Sequence, residues 1–343
     1  MNKRQRVINA LNHKESDIIP YEIGFTIPLR EKLAKFFNDP NFESDIQNHI
    51  KTIGYSTGHT PLLGKPEHVV DMWGVIWNRS GPDKDIGVVE NIILKGKNPT
   101  AFEYPDIDYD ALGKRFEKFL QVNDDTFNIF CIGFSLFERA WTLRGMEALL
   151  MDMVLSPNFV HDLMDRICDF NVKLVEFASQ YDFDGIYFGD DWGQQHGLIM
   201  GPNMWREFIK PRIKRMYGAV RSAGKYVLQH SCGDIYEIFP DVIECGLHCY
   251  QTFQPEIYNI EEAKALYDND LSFWGAISTQ GMLPFETPDG VIRETSRIMN
   301  ILGKGGGYIA SPTHGVPYDV PEENIKALLD VFTNQDKYIN LAR

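Results

Sequence analysis

The sequence predicts an α/β fold, a (β/α)8 TIM barrel formed by one domain over residues 1–343. Short apolar segments alternate with longer amphipathic segments through the second half of the chain, which is typical of a parallel sheet. An open dinucleotide-binding sheet requires Gly-x-Gly-x-x-Gly after its first strand, and the sequence has no such motif. A length of 343 residues also fits one large barrel.

The predicted strands of the second half are short and rich in Ile, Val, Tyr, Phe or Leu, as buried parallel strands are. They cover residues 128–134, 185–188, 226–230, 248–252, 271–276 and 307–310. A first strand is predicted at 18–23, where Pro20 is tolerated near the start. Apolar residues recur with a helical period in four predicted helices, at 157–179, 203–223, 288–302 and 321–332.

The first third of the chain is less regular. Residues 54–105 contain many turns and no clear long helix, and they include the aromatic residues Trp73, Trp77 and Tyr104. The sequence therefore predicts an irregular insertion or lid near the barrel mouth rather than a second domain.

The composition narrows the classes of partner. A net charge of −14 without a Lys/Arg-rich stretch disfavours binding of nucleic acid and anionic lipid, so small molecules and other proteins are expected as partners.

The sequence has no apolar run of about 18 residues, so it does not predict a membrane span. The basic N-terminus continues as an amphipathic helix over 5–13, and the five cysteines form no Cys-x-x-Cys pair, so we expect a cytoplasmic protein. The oligomeric state stays open, a homodimer included.

Two adjacent carboxylates follow the predicted strand at 185–188. Catalytic residues of a barrel lie at the carboxyl ends of its strands, and neighbouring residues of a strand point to opposite sides. One of Asp190 and Asp191 should therefore face the barrel mouth, and we predict that they act in catalysis or orient a ligand. The alternative is a helix cap or turn, because Gly-Asp-Asp is typical of turns.

A zinc site is predicted at the end of the strand at 226–230. His230 and Cys232 are two residues apart, so they share one face of an extended backbone, and nitrogen with sulfur ligation suits zinc. His230 is also a candidate catalytic residue. The alternative is a buried cysteine beside a hydrogen-bonded histidine.

A catalytic zinc usually has three protein ligands and one open position. His314 follows the strand at 307–310, and the mouth of a barrel is small enough for loops to meet across it. We therefore predict His314 as the third ligand, with contact to substrate or solvent as the alternative. Cys245 and Cys249 are other possible ligands, although Cys245 falls at a predicted helix end.

Two intervening strands end in residues suited to a pocket wall. Gln251 and Gln254 offer amides for polar groups of a substrate or cofactor, and Trp274 offers an aromatic face. A place in the core is the alternative for Trp274. The sequence has no Gly-x-Ser-x-Gly, His-Glu-x-x-His or phosphate-loop motif, which argues against serine hydrolases, zincin proteases and P-loop enzymes.

Four segments resemble the uroporphyrinogen decarboxylase superfamily. They are His-Ser-Cys-Gly-Asp-Ile from His230, Gly-Asp-Asp-Trp-Gly from Gly189, Phe-Trp-Gly-Ala-Ile from Phe273 and Gly-Gly-Tyr-Ile-Ala-Ser-Pro-Thr-His from Gly306. The resemblance covers most of the chain and is strongest over 127–332. It implies a (β/α)8 barrel, in agreement with the periodicity.

The resemblance is closer to the corrinoid-dependent methyltransferase branch than to the decarboxylases. Decarboxylases carry Pro-x-Trp-x-Met-Arg-Gln-Ala-Gly-Arg, whose arginines bind propionates, and the stretch after Ile19 reads Pro-Tyr-Glu-Ile-Gly-Phe here. The methyltransferases hold zinc with His-x-Cys and a later Cys. His230 and Cys232 match the first two ligands, whereas His314 stands where the Cys is expected. This difference points to the bacterial O-demethylase type rather than to the coenzyme M enzymes of methanogens.

The resemblance implies transfer of a methyl group from a small methylated substrate, a methoxylated aromatic, to the cobalt of a corrinoid (cobalamin). The corrinoid belongs to a separate protein, since the chain lacks the Asp-x-His-x-x-Gly motif. Zinc would stabilise the charge that develops on the leaving oxygen. Two alternatives stay open: a metal-independent decarboxylase acting on a small carboxylate, and a barrel that binds a ligand without catalysis.

Overall fold

The computed structural model describes residues 1–55, 60–81, 87–122 and 124–340. Within these ranges the strands divide into a large parallel sheet and a small antiparallel one. They are β1 (Ile50–Gly54), β2 (Thr60–Leu62), β3 (Lys65–Val70), β4 (Ile76–Asn78), β5 (Val88–Val89), β6 (Phe127–Ile132), β7 (Gly185–Gly189), β8 (Tyr226–His230), β9 (Cys249–Phe253), β10 (Ser272–Ile277) and β11 (Tyr308–Pro312).

Helices follow most strands of the parallel sheet. They are α1 (Lys3–Leu11), α2 (Ile27–Phe36), α3 (Glu43–Ile46), α4 (Tyr109–Leu120), α5 (Phe137–Arg144), α6 (Met146–Leu155), α7 (Pro157–Ala178), α8 (Pro202–Met204), α9 (Lys210–Ser222), α10 (Phe239–Cys245), α11 (Ile260–Tyr267), α12 (Pro288–Leu302), α13 (Glu322–Thr333) and α14 (Gln335–Tyr338). A π-helical turn, Trp205–Ile209, joins α8 to α9, and short 3₁₀ turns lie at Pro99–Ala101 and Tyr236–Ile238. No helix of the described ranges combines the length and the apolar character that crossing a membrane requires.

The parallel sheet has the order β1-β6-β7-β8-β9-β10-β11. Residues 20–25 connect its two edges. Tyr21 forms a parallel bridge with Ala310 of β11, and Phe25 forms one with Val316 just beyond that strand. The His49 backbone N–H, next to β1, donates to the Tyr21 carbonyl at 3.0 Å. The backbone hydrogen bonds thus continue from the last strand back to the first, as in a TIM-barrel-like fold.

The strands enclose a buried apolar interior. Ile50 of β1, Leu228 of β8 and Ile309 of β11 belong to one cluster of buried residues, together with Val7 and Leu11 of α1. Residues from the two edges and the middle of a sheet come together only if the sheet curls on itself. The helix α1 covers one end of this interior, so the open end lies at the carboxyl ends of the strands.

The outer core lies between the strands and the helices. Leu163, Ile167 and Leu174 of α7 are almost completely buried, at the spacing that places residues on one helix face. Burying each such side chain contributes about 1.5–3 kcal/mol. Pro157 and Pro288 begin their helices at the position where a missing N–H costs least.

The predicted α/β class, the parallel sheet and the six strands of the second half are confirmed, with ends shifted by at most two residues. The predicted strand at 18–23 is wrong, because residues 20–25 form single bridges rather than a ladder. Pro20 has no N–H to donate to a neighbouring strand. The Asn48 side chain accepts a hydrogen bond from the Ile23 N–H and donates one to the Ile23 carbonyl, so these two groups do not pair with a strand. The strand β1 was not predicted from the sequence.

Part of the predicted irregular segment is ordered as the antiparallel sheet β2-β3-β4-β5. Its Trp77 ring packs on Phe134, which follows β6, at a centroid distance of 5.0 Å. Asp71 accepts a hydrogen bond from Arg139 of α5 at 2.9 Å, and both residues are buried. These contacts attach the small sheet to the carboxyl end of β6, and its role as a lid stays a prediction.

Candidate metal centre

The loops after β7 and β8 touch each other through two glycines. A Cβ on Gly193 would lie 2.6 Å from the Cys232 carbonyl oxygen, so no side chain fits there. Gly233 has φ +76°, a backbone conformation that glycine adopts without strain. The Gly193 N–H donates to the Cys232 carbonyl at 3.2 Å. This close approach fixes the loop that carries Cys232 at the end of β8.

Three metal-binding side chains meet at the open end of the sheet. The Cys232 Sγ atom lies 3.5 Å from His230 Nε2 and 3.2 Å from His314 Nε2. One ligand atom from each residue lies within 4.8 Å of the others. His314 comes from the loop after β11, where the neighbouring Thr313 is buried and its N–H donates to the Ile277 carbonyl at 2.9 Å. The structure therefore brings together the three residues predicted as ligands.

The spacing of these atoms fits zinc. Zn–S and Zn–N bonds of about 2.3 and 2.1 Å in a tetrahedron place neighbouring donors about 3.5 Å apart. The separations of 3.5 and 3.2 Å from the Cys232 Sγ atom match that edge. A donor set of two imidazoles and one thiolate leaves a fourth position for a substrate atom, as in catalytic zinc sites. Cys245 and Cys249 are buried and do not belong to the cluster.

Gln251 holds the His230 ring in place. Its Oε1 atom lies within hydrogen-bond distance of His230 Nδ1 and accepts a hydrogen bond from the Tyr187 hydroxyl at 2.8 Å. With Nδ1 as donor to the amide oxygen, the lone pair of Nε2 points to the metal position. Gln251 therefore acts on the ligand His230, whereas Gln254 accepts from the Gly233 N–H at 2.9 Å and shapes the loop.

Asp191 borders the metal position. Its Oδ1 atom lies 3.2 Å from His230 Nε2 and accepts the Cys232 N–H at 2.8 Å. Burial raises the pKa of Asp191, but hydrogen bonds and the charge of His230 outweigh this effect and bring the pKa to about 2. Burial lowers the pKa of His230, and Asp191 and Cys232 more than offset this and raise it well above its usual value.

Asp190 points away from the metal position and is fully buried. Its carboxylate accepts the backbone N–H groups of Leu136, Phe137 and Glu138 at 2.8–3.1 Å and the Trp192 indole N–H. Burial raises the pKa of Asp190 to about 6, against the effect of these four donors. The side chain caps the start of α5, as the alternative from the sequence described.

Trp274 lies in the interior below the metal centre. It is buried, and its ring centroid is 5.7 Å from that of Tyr187. Its indole nitrogen is buried and has no hydrogen-bond partner among the described residues. Trp274 thus forms an aromatic floor rather than a side wall.

Sequence reasoning missed Glu138. This residue lies in the first turn of α5, and burial together with the charges of Asp191 and Asp190 raises its pKa well above the usual value. This shift favours the protonated form of the Glu138 carboxyl beside the metal centre. No motif marks Glu138 in the sequence, because a helix after an irregular loop brings it to the site.

A ring of polar side chains lines the interior between Trp274 and the metal centre. We name it the interior polar layer; it consists of Glu22, Thr52, Cys131, Tyr187, Gln251 and Ser311. Cys131 and Ser311 lie two positions after Ile129 and Ile309, which belong to the buried cluster inside the sheet. Alternate residues of a strand point to the same side, so Cys131 and Ser311 also face the interior. The neighbours of Glu22, Tyr21 and Ile23, pack into the outer core, which places Glu22 inside.

Glu22 is the acidic member of this layer, and sequence reasoning did not assign it. Its Oε2 atom accepts a hydrogen bond from the Ser311 hydroxyl at 3.1 Å. Burial raises the pKa of Glu22 to about 7, and Ser311 opposes this only in part. The titratable groups facing it are Cys131 and Tyr187, whose pKa values burial also raises.

Replacing Glu22 with glutamine is expected to stabilise the protein at alkaline pH. In the unfolded chain Glu22 ionises near pH 4.5, whereas in the folded chain its raised pKa keeps it protonated up to about pH 7. The folded state therefore loses stability relative to the unfolded state as pH rises from about 4.5 to about 7. The shift from 4.5 to about 7 corresponds to at most about 3 kcal/mol. Urea unfolding at about pH 8 should show Glu22→Gln as the more stable chain, and the difference should vanish at about pH 4.5.

The exposed Glu31 supplies the control, since Glu31→Gln removes the same charge without burial. Equal effects of the two variants across this pH range would contradict a buried carboxyl at Glu22.

Comparison with known proteins identifies the family of the chain. Residues 132–335, more than half of the chain, match the family described as uroporphyrinogen decarboxylase (URO-D). The chain belongs to the uroporphyrinogen decarboxylase family. This confirms the resemblance seen in the sequence, and the candidate metal ligands His230, Cys232 and His314 lie inside the matched region.

Relatives in this family have different activities. Uroporphyrinogen decarboxylase of Thermus thermophilus is 25% identical over 181 residues, which cover 50% of this chain and 47% of that protein. Methylcobamide:CoM methyltransferase MtaA of Methanosarcina barkeri is 27% identical over 131 residues, or 38% of this chain and 36% of that protein. The chain thus spans about half the length, or less, of these curated relatives.

The fold is shared over the whole chain with a methyltransferase from Methanosarcina mazei. The TM-score is 0.72 at 16% sequence identity, over 98% of this chain and 99% of that one. This likeness supports the barrel-like architecture.

Proposed function

We propose that the chain is a zinc-dependent methyltransferase that demethylates a methoxylated aromatic and transfers the methyl group to the cobalt of a corrinoid held by a separate protein. The observation that carries the proposal is the cluster of His230, Cys232 and His314 at the open end of the sheet. Its nitrogen and sulfur donors suit a catalytic zinc. Family membership and the relatives among methyltransferases support the same reaction class.

His230, Cys232 and His314 would hold the zinc, which supplies a Lewis acid that polarises the oxygen of the methyl donor. In the transfer the methyl C–O bond breaks and the electron pair of cobalt(I) forms a bond to the methyl carbon. The oxygen keeps the C–O electron pair and requires a proton. Gln251 fixes the orientation of His230 during this step, and Trp274 supplies a surface for the aromatic ring.

Glu138 is placed to deliver that proton. Burial and the charges of Asp191 and Asp190 raise the pKa of its carboxyl, which favours the protonated form. A general acid is most effective when its pKa is raised toward the operating pH and its proton is within reach of the leaving group. We assign Glu138 as the proton donor and Asp191 as the residue that holds the Cys232 loop by accepting its backbone N–H.

The interior polar layer favours a methyl ether over the decarboxylase alternative. None of its six members is a lysine or arginine, so a substrate carboxylate would meet Glu22 without a counter-charge.

The described cysteines are free thiols, which supports the proposed cytoplasmic location.

The direct test is an assay of the purified chain loaded with zinc, with 2-methoxyphenol and a cobalt(I) corrinoid. Formation of catechol and of the methylated corrinoid in equal amounts, both dependent on zinc, would support the proposal. Release of carbon dioxide from an aromatic carboxylate, unaffected by a chelator, would favour the decarboxylase alternative instead.

Replacing His314 with alanine is expected to weaken zinc binding by at least about 10–100-fold, the range for changes around a zinc site. His314 lies on an accessible loop, so the fold should persist. His314→Cys should keep zinc, because a thiolate is also a zinc ligand. Competition against a chromogenic chelator measures both affinities. His196→Ala, at an exposed histidine in the loop after β7, is the control, and equal zinc affinity in His196→Ala and His314→Ala would remove His314 from the ligand set.

A further inference from the structure

The interior polar layer contains an acceptor that the proposed chemistry does not use. Glu22 receives one hydrogen bond among the described residues, from the Ser311 hydroxyl. The same hydroxyl lies 2.9 Å from the Pro312 carbonyl, so the Ser311 hydrogen is shared between two acceptors. At least one oxygen of Glu22 is therefore available to a donor from a bound molecule.

Glu22 is reached from the open end of the sheet. Its side chain is partly exposed, although the surrounding strands desolvate it strongly. A partly exposed group inside a curled sheet is accessible through the mouth, which is also where the metal ligands lie. Glu22 thus faces the space that a substrate occupies.

Tyr187 connects Glu22 to the metal centre. Its hydroxyl donates to Gln251 Oε1, the atom that contacts His230. Burial raises the pKa of the Tyr187 hydroxyl, and interactions with groups of both regions, Asp191 of the metal centre and Glu22 of the interior polar layer among them, raise it further. Since Tyr187 stands above the Trp274 ring, an aromatic molecule between these groups would have one end near the metal and another near Glu22.

We propose that Glu22 is a specificity-determining residue that accepts a hydrogen bond from a free hydroxyl on the aromatic ring of the methyl donor. The substrate class is then a methoxylated phenol, and methoxylated aromatic carboxylates and fully methylated aromatics are rejected. This inference rests on the proposed function, which it deepens.

Charge and hydrogen-bonding capacity select this class. Above its pKa of about 7 the Glu22 carboxyl is ionised, and a substrate carboxylate would then bring a second negative charge beside it, with no lysine or arginine in the interior polar layer to offset it. A fully methylated ring has no donor, so it would desolvate the Glu22 carboxyl without replacing the lost hydrogen bond. A phenol supplies one donor, and a carboxyl with a pKa near neutrality accepts it without requiring a cationic partner.

Binding measurements that omit the corrinoid protein test this inference separately from catalysis. Isothermal titration of the zinc-loaded chain at about pH 8, where Glu22 is mostly ionised, would compare 2-methoxyphenol, 1,2-dimethoxybenzene and 2-methoxybenzoate. We expect the phenol to bind at least about tenfold more tightly than the other two, the factor that one satisfied buried hydrogen bond provides. Glu22→Leu should abolish this preference, and Glu22→Gln should improve binding of the benzoate, because the like charge is gone.

Glu31→Gln serves as the control variant, and Glu22→Gln keeps the test valid if Glu22→Leu fails to fold. Equal binding of the three ligands by the unaltered chain, or a preference that survives in both Glu22 variants, would overturn the inference. Tight, Glu22-dependent binding of a methylated ammonium compound in place of the phenol would overturn it too. Selective phenol binding without any methyl transfer would instead reject only the proposed function.

Discussion

Replacing Cys232 with alanine is expected to remove bound zinc and methyl transfer together. Cys232 lies within 3.5 Å of both His230 Nε2 and His314 Nε2, so it is the donor common to the two shortest contacts of the cluster. Without the thiolate two imidazoles remain, which is one ligand fewer than catalytic zinc sites use. We expect near-stoichiometric zinc in the unaltered chain, and at least about a 100-fold lower affinity in the variant.

Cys245→Ala is the matched control for this experiment. Cys245 ends α10, is buried, and was an alternative ligand on sequence grounds. Elemental analysis of both variants, with the transfer assay on the same samples, separates the possibilities. Zinc retained in Cys232→Ala, or lost in Cys245→Ala with the fold intact by circular dichroism, would contradict the assigned centre.

Most of the candidate metal centre could be predicted from the sequence, because its three ligand residues lie at or just after the ends of strands. His230 ends β8, and the two-residue spacing to Cys232 follows from an extended backbone. The strands themselves are marked by apolar runs that cannot stay exposed. His314 follows the same logic at β11, since the carboxyl ends of parallel strands meet at one end of a barrel.

The residues that sequence reasoning missed depend on contacts between distant segments. Glu22 lies in the segment predicted as a strand at 18–23, which forms single bridges instead, and no motif marked it as a site residue. Glu138 reaches the site from a helix, and its raised pKa arises from burial and from the charges of Asp191 and Asp190, about fifty residues away along the chain. The strand β1 was missed because only its first residue is buried and the polar residues hide its pattern.

The two adjacent aspartates illustrate the same limit. Alternation along a strand predicted that Asp190 and Asp191 point in opposite directions, and they do: one caps α5 and the other contacts His230. The sequence did not specify which one faces the mouth. That choice depends on the loop that ends at Leu136, whose N–H donates to Asp190.

Replacing Asp190 with alanine is therefore expected to act on stability rather than directly on chemistry. Three buried backbone N–H groups, at Leu136, Phe137 and Glu138, would lose their acceptor. Each unsatisfied buried group costs about 1–3 kcal/mol. Removing a buried carboxylate, whose pKa burial raises to about 6, offsets part of that loss. We expect a net decrease of about 2–4 kcal/mol in the free energy of unfolding.

Asp191→Ala is the comparison that makes this expectation decisive. The Asp191 side chain is 35% exposed and accepts one backbone N–H, from Cys232, besides its contact with His230. Its loss should lower the free energy of unfolding less than the loss of Asp190, because it leaves one backbone N–H without its acceptor rather than three. The same variant should weaken zinc binding by about 10–100-fold, because Asp191 accepts the Cys232 N–H and so fixes the loop that carries this ligand.

Urea unfolding and zinc titration of both variants should thus give opposite rankings. Asp190→Ala should be the less stable chain, and once folded and loaded with zinc it should bind the metal nearly as well as the unaltered protein. An Asp190→Ala chain of unchanged stability that fails to bind zinc or transfer methyl groups would show that Asp190 serves the reaction. In that case the hydrogen bonds to α5 would be incidental, and the start of that helix would depend on its packing alone.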